Sequence, residues 1–356
     1  MGQAGAARDP IMQSSASPEN ELLVGGQALI EGVMMRSPGA YGVAVRRPDG
    51  SLAFQRGKVN SLAKRFPILK LPILRGVAVL FQSLALGIRS LNFSAEQAVA
   101  AAEAEEAEKV NEVMPAAPEK KETSNWAIAG SMAFGLGLGI VVFLLVPLGL
   151  THLGEKYVFG GQLSNLQFNL LDGALRAVFF LGYIFLISRM KDIHRVFQYH
   201  GAEHKVVFNY EKRLPLTVEN ARIQSRLHPR CGTSFLLFVI LVSILVFALI
   251  PKTAPFLMKF GGRLLLVPVI AGLSYEVLRF TAKHRAAPLF NLLVAPGLAL
   301  QRITTQEPTD DMLEVAIAAL EEALREDGLL QPAETPIPVP AIVPSEYPEA
   351  AARAGA

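Results

Sequence analysis

Residues Ala127–Leu150 form an uncharged, predominantly apolar run of 24 residues. As a helix it rises 1.5 Å per residue, enough to cross a hydrocarbon core about 30 Å thick. A bilayer offers no water to satisfy the backbone, so such a run must cross as a closed helix, and the rest of the chain folds around it. Leu170–Ser188, Phe235–Ile250 and Leu264–Phe280 are expected to span as well. Asp172 and Arg176 weaken the second of these, and Pro268, Gly272 and Glu276 interrupt the fourth. Composition agrees: 51% of residues are hydrophobic and 18% charged, less charge than a soluble domain of this size carries. The fold class expected is a mainly α integral membrane protein. It has about four transmembrane helices, further interfacial helices, and a small N-terminal β-unit on the cytoplasmic side.

The segments around these spans divide the chain. Residues 1–24 are small and polar, lack the apolar core of a signal peptide, and are expected to be disordered. In 25–60, Tyr41–Arg47 and Ser51–Arg56 flank the turn signal Pro48-Asp49-Gly50, which predicts short strands. Residues 61–95 are apolar but broken by Pro67, Lys70, Pro72, Arg75 and Gly76, so they are expected to lie at the interface or re-enter. Residues 96–125 read as an acidic insert and linker, 126–305 as the membrane region, and 189–234 as a cytoplasmic loop within it. Ala286–Leu300, with Pro288 and Pro296, looks interfacial. Within 306–330, Leu313, Ile317, Leu320 and Leu324 have helical spacing, and Thr309 with Asp310 and Asp311 supplies the N-terminal cap. Residues 331–356 are a Pro- and Ala-rich tail.

Lys and Arg crowd the segment before the first span and the loop 189–234, whereas the loop between the first two spans holds Lys156 alone. Four spans with both termini in the cytoplasm satisfy that asymmetry, in a cell membrane. The net charge of +3 gives no sign of a nucleic-acid partner. Membrane lipid is the expected partner, and the oligomeric state is left open. A single cysteine excludes an internal disulfide framework.

His200-Gly-Ala-Glu203-His204 reads H-x-x-E-H, the inverted form of a zinc-hydrolase signature. Residues four apart share a helix face, so both imidazoles reach one point. Glu203 is the candidate catalytic base, since a carboxylate there can lean over the site without being its main ligand. His228-Pro-Arg-Cys231 follows within 32 residues and offers further ligands, because Pro229 discourages helix at His228. The expected cofactor is a divalent metal, Zn2+ by donor type, held by His200, His204, His228 and Cys231. Glu31, Arg36, Arg75 and Glu276 are a further candidate polar set on the same cytoplasmic face.

Met190–Lys205 and His228–Phe235 resemble the YqhQ-like bacterial membrane protein family, whose core is a domain of unknown function (1385). Glu31–Arg36, Leu74-Arg-Gly76, Ala271–Glu276 and Gln301–Pro308 look like its other signatures. The match runs from about Gly25 to Leu324. What the resemblance implies is a metal-dependent membrane enzyme without a defined substrate.

Two functions of different classes follow. One is a zinc-dependent hydrolase at the cytoplasmic membrane face, where Lys205, Arg226 and Arg230 suit an anionic substrate or the anionic leaflet. The other is a non-catalytic scaffold or insertion partner for membrane-protein clients, with a structural metal or none. Glu276 beside a span raises a weaker third, a transporter.

Overall fold

The computed structural model describes residues 24–59, 62, 66–109, 125–283 and 288–330. The terminal segments other than Val24, and the linker at 110–124, lie outside the described residues.

Strands form where apolar side chains alternate. β1 (Gly25–Leu29), β2 (Gly32–Arg36), β3 (Ala40–Arg46) and β4 (Leu52–Lys58) make an antiparallel sheet in chain order. This is the small β-unit expected from the sequence. Asp49 closes the β3–β4 turn by accepting from Ser51 N at 2.8 Å and Ser51 Oγ at 2.6 Å. Glu31 turns β1 into β2 with φ 52°, a left-handed conformation costing a non-glycine residue roughly 1 kcal/mol.

Both faces of the sheet are covered. Val33, Met35 and Ala44 pack on one face, and Leu29, Met34, Tyr41, Val43 and Val45 on the other, the period-2 division that a pleated strand imposes. The second face meets Leu86 and Phe93 of α1 (Leu74–Lys109).

In α1 the structure departs from expectation. Among the described residues of 61–95, a short 3-10 turn at Pro67–Lys70 leads into one continuous helix starting just past Pro72, less broken than the prolines and charges suggested. Proline lacks an N–H, so it is tolerated at a helix start, where that donor has no partner. Leu74–Ala100 is long and apolar enough to cross a membrane. Its contacts divide, however. Gly76 crosses another helix at Gly272 and Tyr275, so close that a Cβ there would lie 3.0 Å from the Gly272 carbonyl. Further along, Leu86 and Phe93 pack under the sheet, Ser94 Oγ bonds to the Ile30 carbonyl, and Gln97 accepts from Arg47 at 2.9 Å.

α2 (Asn125–Ile140) runs through a π-helical turn at Val141–Leu145 into α3 (Val146–Tyr157). Pro147 cannot donate within the helix, and a wide turn just before it takes up that mismatch. α4 (Asn165–Ile187) opens with a capping box between Ser164 and Gln167. α5 (Lys191–Glu211) and α6 (Val218–Arg222) occupy the loop expected at 189–234. α7 (Gly232–Phe247) has 16 residues, about 24 Å, and so falls short of the full width expected for a third span. α8 (Phe256–Lys283) and α9 (Pro288–Thr304) each carry a proline inside a single helix, so Pro288–Leu300 is less broken than the sequence implied. Among the described residues, four helices are long and apolar enough to cross a membrane: α1, the α2–α3 helix, α4 and α8. The number matches expectation by length and composition, with α1 among the four and α7 among the shorter apolar helices.

Asp172 and Arg176 do not weaken α4; they face inward. Arg176 reaches Asp172 and donates to Ser243 Oγ at 2.9 Å. Arg263 donates to Asp172 Oδ1 at 2.6 Å and to Asn169 Oδ1 at 3.1 Å. Apolar surroundings demand such pairing of buried charge.

α10 (Asp310–Glu326) closes the first face of the sheet. Its apolar stripe is buried there, against β2, β3 and Tyr199, Ala202, Val206 and Val207 of α5. Gly42 of β3 permits the contact, since a Cβ would sit 2.4 Å from the Ala319 carbonyl. Thr309 stands at the N-cap as expected, but its side chain makes no capping bond. The result is a layered unit, α1 on one side of the sheet and α5 with α10 on the other.

Candidate metal centre

α5 buries one stripe against the sheet and α10, which fixes the direction of the adjoining stripe. His200 and His204 lie there one turn apart, with ring centroids 4.4 Å apart. Each ring is oriented by a backbone carbonyl. His200 Nδ1 lies 2.7 Å from Thr304 O, and His204 Nδ1 lies 2.5 Å from Arg226 O. A carbonyl only accepts, so both Nδ1 atoms carry a proton, and in the neutral imidazole it is Nε2 that presents the lone pair. His200 Nε2 points at Cys231 Sγ, 3.2 Å away. His204 Nε2 is buried with no partner among the described residues.

Cys231 is the N-cap of α7, where its Sγ accepts from Thr233 N at 3.4 Å and Thr233 Oγ1 at 3.3 Å. Ligand atoms of His200, His204 and Cys231 all lie within 4.8 Å of one another. Glu203 Oε2 is 3.9 Å from His200 Nε2. Cys231 and His204 are buried, whereas the His200 side chain keeps 15% exposure, which marks the side open to approach.

Gly201 makes this arrangement possible. A Cβ there would sit 2.0 Å from the Gln306 carbonyl, and Gln306 N donates to Phe197 O at 2.8 Å. The chain after α9 therefore lies directly on α5 and brings the Thr304 carbonyl to His200. Sequence reasoning missed the carbonyls of Thr304 and Arg226. The only sequence signal for the first was the motif Gln301–Pro308.

The structure does not bring His228 into the set. Its Nδ1 accepts from Arg230 N at 3.2 Å, and its Nε2 lies 3.2 Å from Glu211 Oε1. Gln301 holds its backbone from both sides, at 2.8 and 2.9 Å. With both ring nitrogens engaged, His228 orders the turn leading to Cys231.

The basic neighbours are largely neutralised. Lys205 and Arg226 both reach Glu307, and Arg230 pairs with Glu211. Of the second polar set, Glu31 binds Arg195 through both oxygens, a contact that raises the Arg195 pKa. Tyr199 Oη lies 3.3 Å from Glu31, and burial pushes that phenol up. Arg75 and Glu276 form a two-point ion pair joining α1 to α8. These form two separate pairs, and Arg36 stands apart from both. Burial pulls its guanidinium below the ordinary range, and Tyr275 nearby works against that shift.

The family model for a protein of unknown function (DUF1385) matches residues 71–326. The chain belongs to the DUF1385 family. The uncharacterized protein YqhQ of Bacillus subtilis (strain 168) is 39% identical over 320 residues, covering 88% of this chain and 95% of that relative. No solved structure matches the chain. The family and the relative are both described as uncharacterised, so function in DUF1385 has to be argued from the site.

Proposed function

We propose that this chain is a multi-pass membrane protein with a zinc-dependent hydrolytic centre at the cytoplasmic membrane face. One observation carries the reading. Two imidazoles are each tied at Nδ1 to a backbone carbonyl, their ligand atoms and Cys231 Sγ lie within 4.8 Å of one another, and His204 Nε2 is buried with no partner among the described residues. An unpartnered buried nitrogen costs on the order of 1–3 kcal/mol, so its persistence is explained if a ligand completes it. Carbonyl-oriented histidines are the usual outer support of a metal site.

His200, His204 and Cys231 would hold the ion, a donor set suited to zinc. A bound zinc would supply Lewis acidity and make a nearby water easier to deprotonate. Glu203 is placed to take that water's proton, because its carboxylate lies next to the cluster without belonging to it. The partly exposed His200 edge admits water and substrate. Three protein ligands leave a fourth position open, the pattern of a reactive site.

The crowding of Lys and Arg before the first apolar run and in the loop 189–234 supports a cytoplasmic position for this centre. Because Leu86 and Phe93 of α1 pack under the sheet, we read α1 as lying along the membrane surface with that unit.

Metal analysis of the purified full chain tests the centre. About one zinc per chain is expected in the wild type and in Glu203→Gln, and none in His204→Ala. Loss of metal in Glu203→Gln would make Glu203 a ligand and favour a closed structural site. A wild type that binds no zinc after reconstitution would refute the centre.

A further inference from the structure

A cavity of about 430 Å³ lies between the edge of the sheet and α1. Its walls combine two kinds of group. Met34 and Leu86 are apolar, while Arg36 and Ser83 offer donors. Gln27 and Met34 are cross-strand partners, as are Gly25 and Arg36, so these residues project from the α1 face of the sheet. Arg36 is half-buried there, and no carboxylate pairs with it among the described residues. That contrasts with Arg195, Arg226 and Arg230, each joined to an acid. A half-buried guanidinium without a counter-charge is a ready partner for an anion.

Two further features define the ligand. Beside Ser83, α1 exposes Leu80, Phe81 and Leu84, so the cavity adjoins an apolar surface. The cavity is also lined by Arg230, the residue before Cys231, and by Gly26. Gly26 belongs to the edge strand, and the Glu203 side chain packs against it, so that a Cβ there would lie 3.0 Å from Glu203 Cγ. Gly26 thus touches both the cavity and Glu203, the neighbour of the His200–His204–Cys231 cluster.

We infer that this cavity binds the anionic head of a membrane lipid, with Arg36 holding the charge and the apolar wall taking the start of the chain. A phosphate head fits the planar two-point donation of arginine, and the flanking apolar stripe favours lipid over free phosphate. The inference deepens the metal-centre reading by naming its substrate class. It rests on that reading only for what happens to the bound head, since binding itself requires no metal.

The test uses the full chain in nanodiscs of phosphatidylcholine doped with phosphatidic acid, with retained lipid counted by native mass spectrometry. The wild type should retain phosphatidic acid in preference to phosphatidylcholine. Arg36→Gln should lower that occupancy at least about tenfold, as loss of one charge-assisted pair implies. Ser83→Trp changes an exposed residue at the cavity wall; by filling the space it should give a similar loss, and it decides the matter if Arg36→Gln does not fold. His204→Ala should retain the lipid, which separates this inference from the metal centre. Unchanged occupancy in a folded Arg36→Gln or in Ser83→Trp would overturn it. So would inorganic phosphate displacing the lipid at equal concentration, because the site would then read the anion alone.

Discussion

The backbone carbonyl of Arg226 sits 2.5 Å from His204 Nδ1, and the opposite ring nitrogen of His204 is buried with no partner among the described residues. The ring is thus held in one tautomer, with a ligand atom of His204 within 4.8 Å of those of His200 and Cys231. Cys231 is the chain's only cysteine, so thiol chemistry reports on this cluster alone. Alkylation of purified protein should be slow, and removal of metal by a chelator should speed it. Cobalt-loaded protein should show a thiolate-to-metal absorption band that Cys231→Ser abolishes. Alkylation indifferent to chelator, together with no such band, would contradict the centre.

Gly201→Ala should damage fold and centre together. The added methyl meets the Gln306 carbonyl, so the segment after α9 must move off α5. Overpacking of this kind typically costs about 1–3 kcal/mol. Because Thr304 in that segment orients His200, zinc affinity should fall along with melting temperature. A variant with native melting and native zinc content would show that the close approach is not needed.

Asp172→Asn should be strongly destabilising. Asp172 serves Arg176 and Arg263 at once, and all three are buried between α4 and α8. Removing the carboxylate charge leaves two guanidinium groups without compensation. Breaking a buried pair costs on the order of 3–5 kcal/mol. Thermal unfolding in detergent measures the loss, and a wild-type melting temperature would contradict this account of the network.

The orientation can be read by labelling. In a Cys231→Ser background, a cysteine at Ser164 should react with an impermeant reagent from outside, and one at Asn220 should not. The opposite pattern would invert the topology and place the cluster on the outer face.

A reporter inserted after Lys109 distinguishes the two states open to α1. Its packing under the sheet leads us to expect a cytoplasmic signal. An external signal would make α1 a full span and separate the sheet from the helix that covers it.

The apolar runs were legible because the bilayer sets their length and uniformity locally. Ala127–Leu150 fixes a membrane helix whatever surrounds it. The β-unit was legible too, since alternation and the Pro48-Asp49-Gly50 turn are local signals. His200 and His204 shared a face because helical periodicity guarantees it. The sequence could not choose between His228 and Cys231, because three residues separate them and both are good donors. That choice came from Glu211 and the Arg230 amide, which occupy the His228 ring, and from the start of α7, which turns the Cys231 thiol inward. Nor could it show that α10, some 270 residues after β3, completes the core of the sheet, or that carbonyls of Thr304 and Arg226 set both tautomers. Local patterning determines which face of each element is apolar and which donors share a turn. Which partner covers that face, and which lone pair is left over, depends on contacts between residues far apart in the chain, and these arise only when the elements pack.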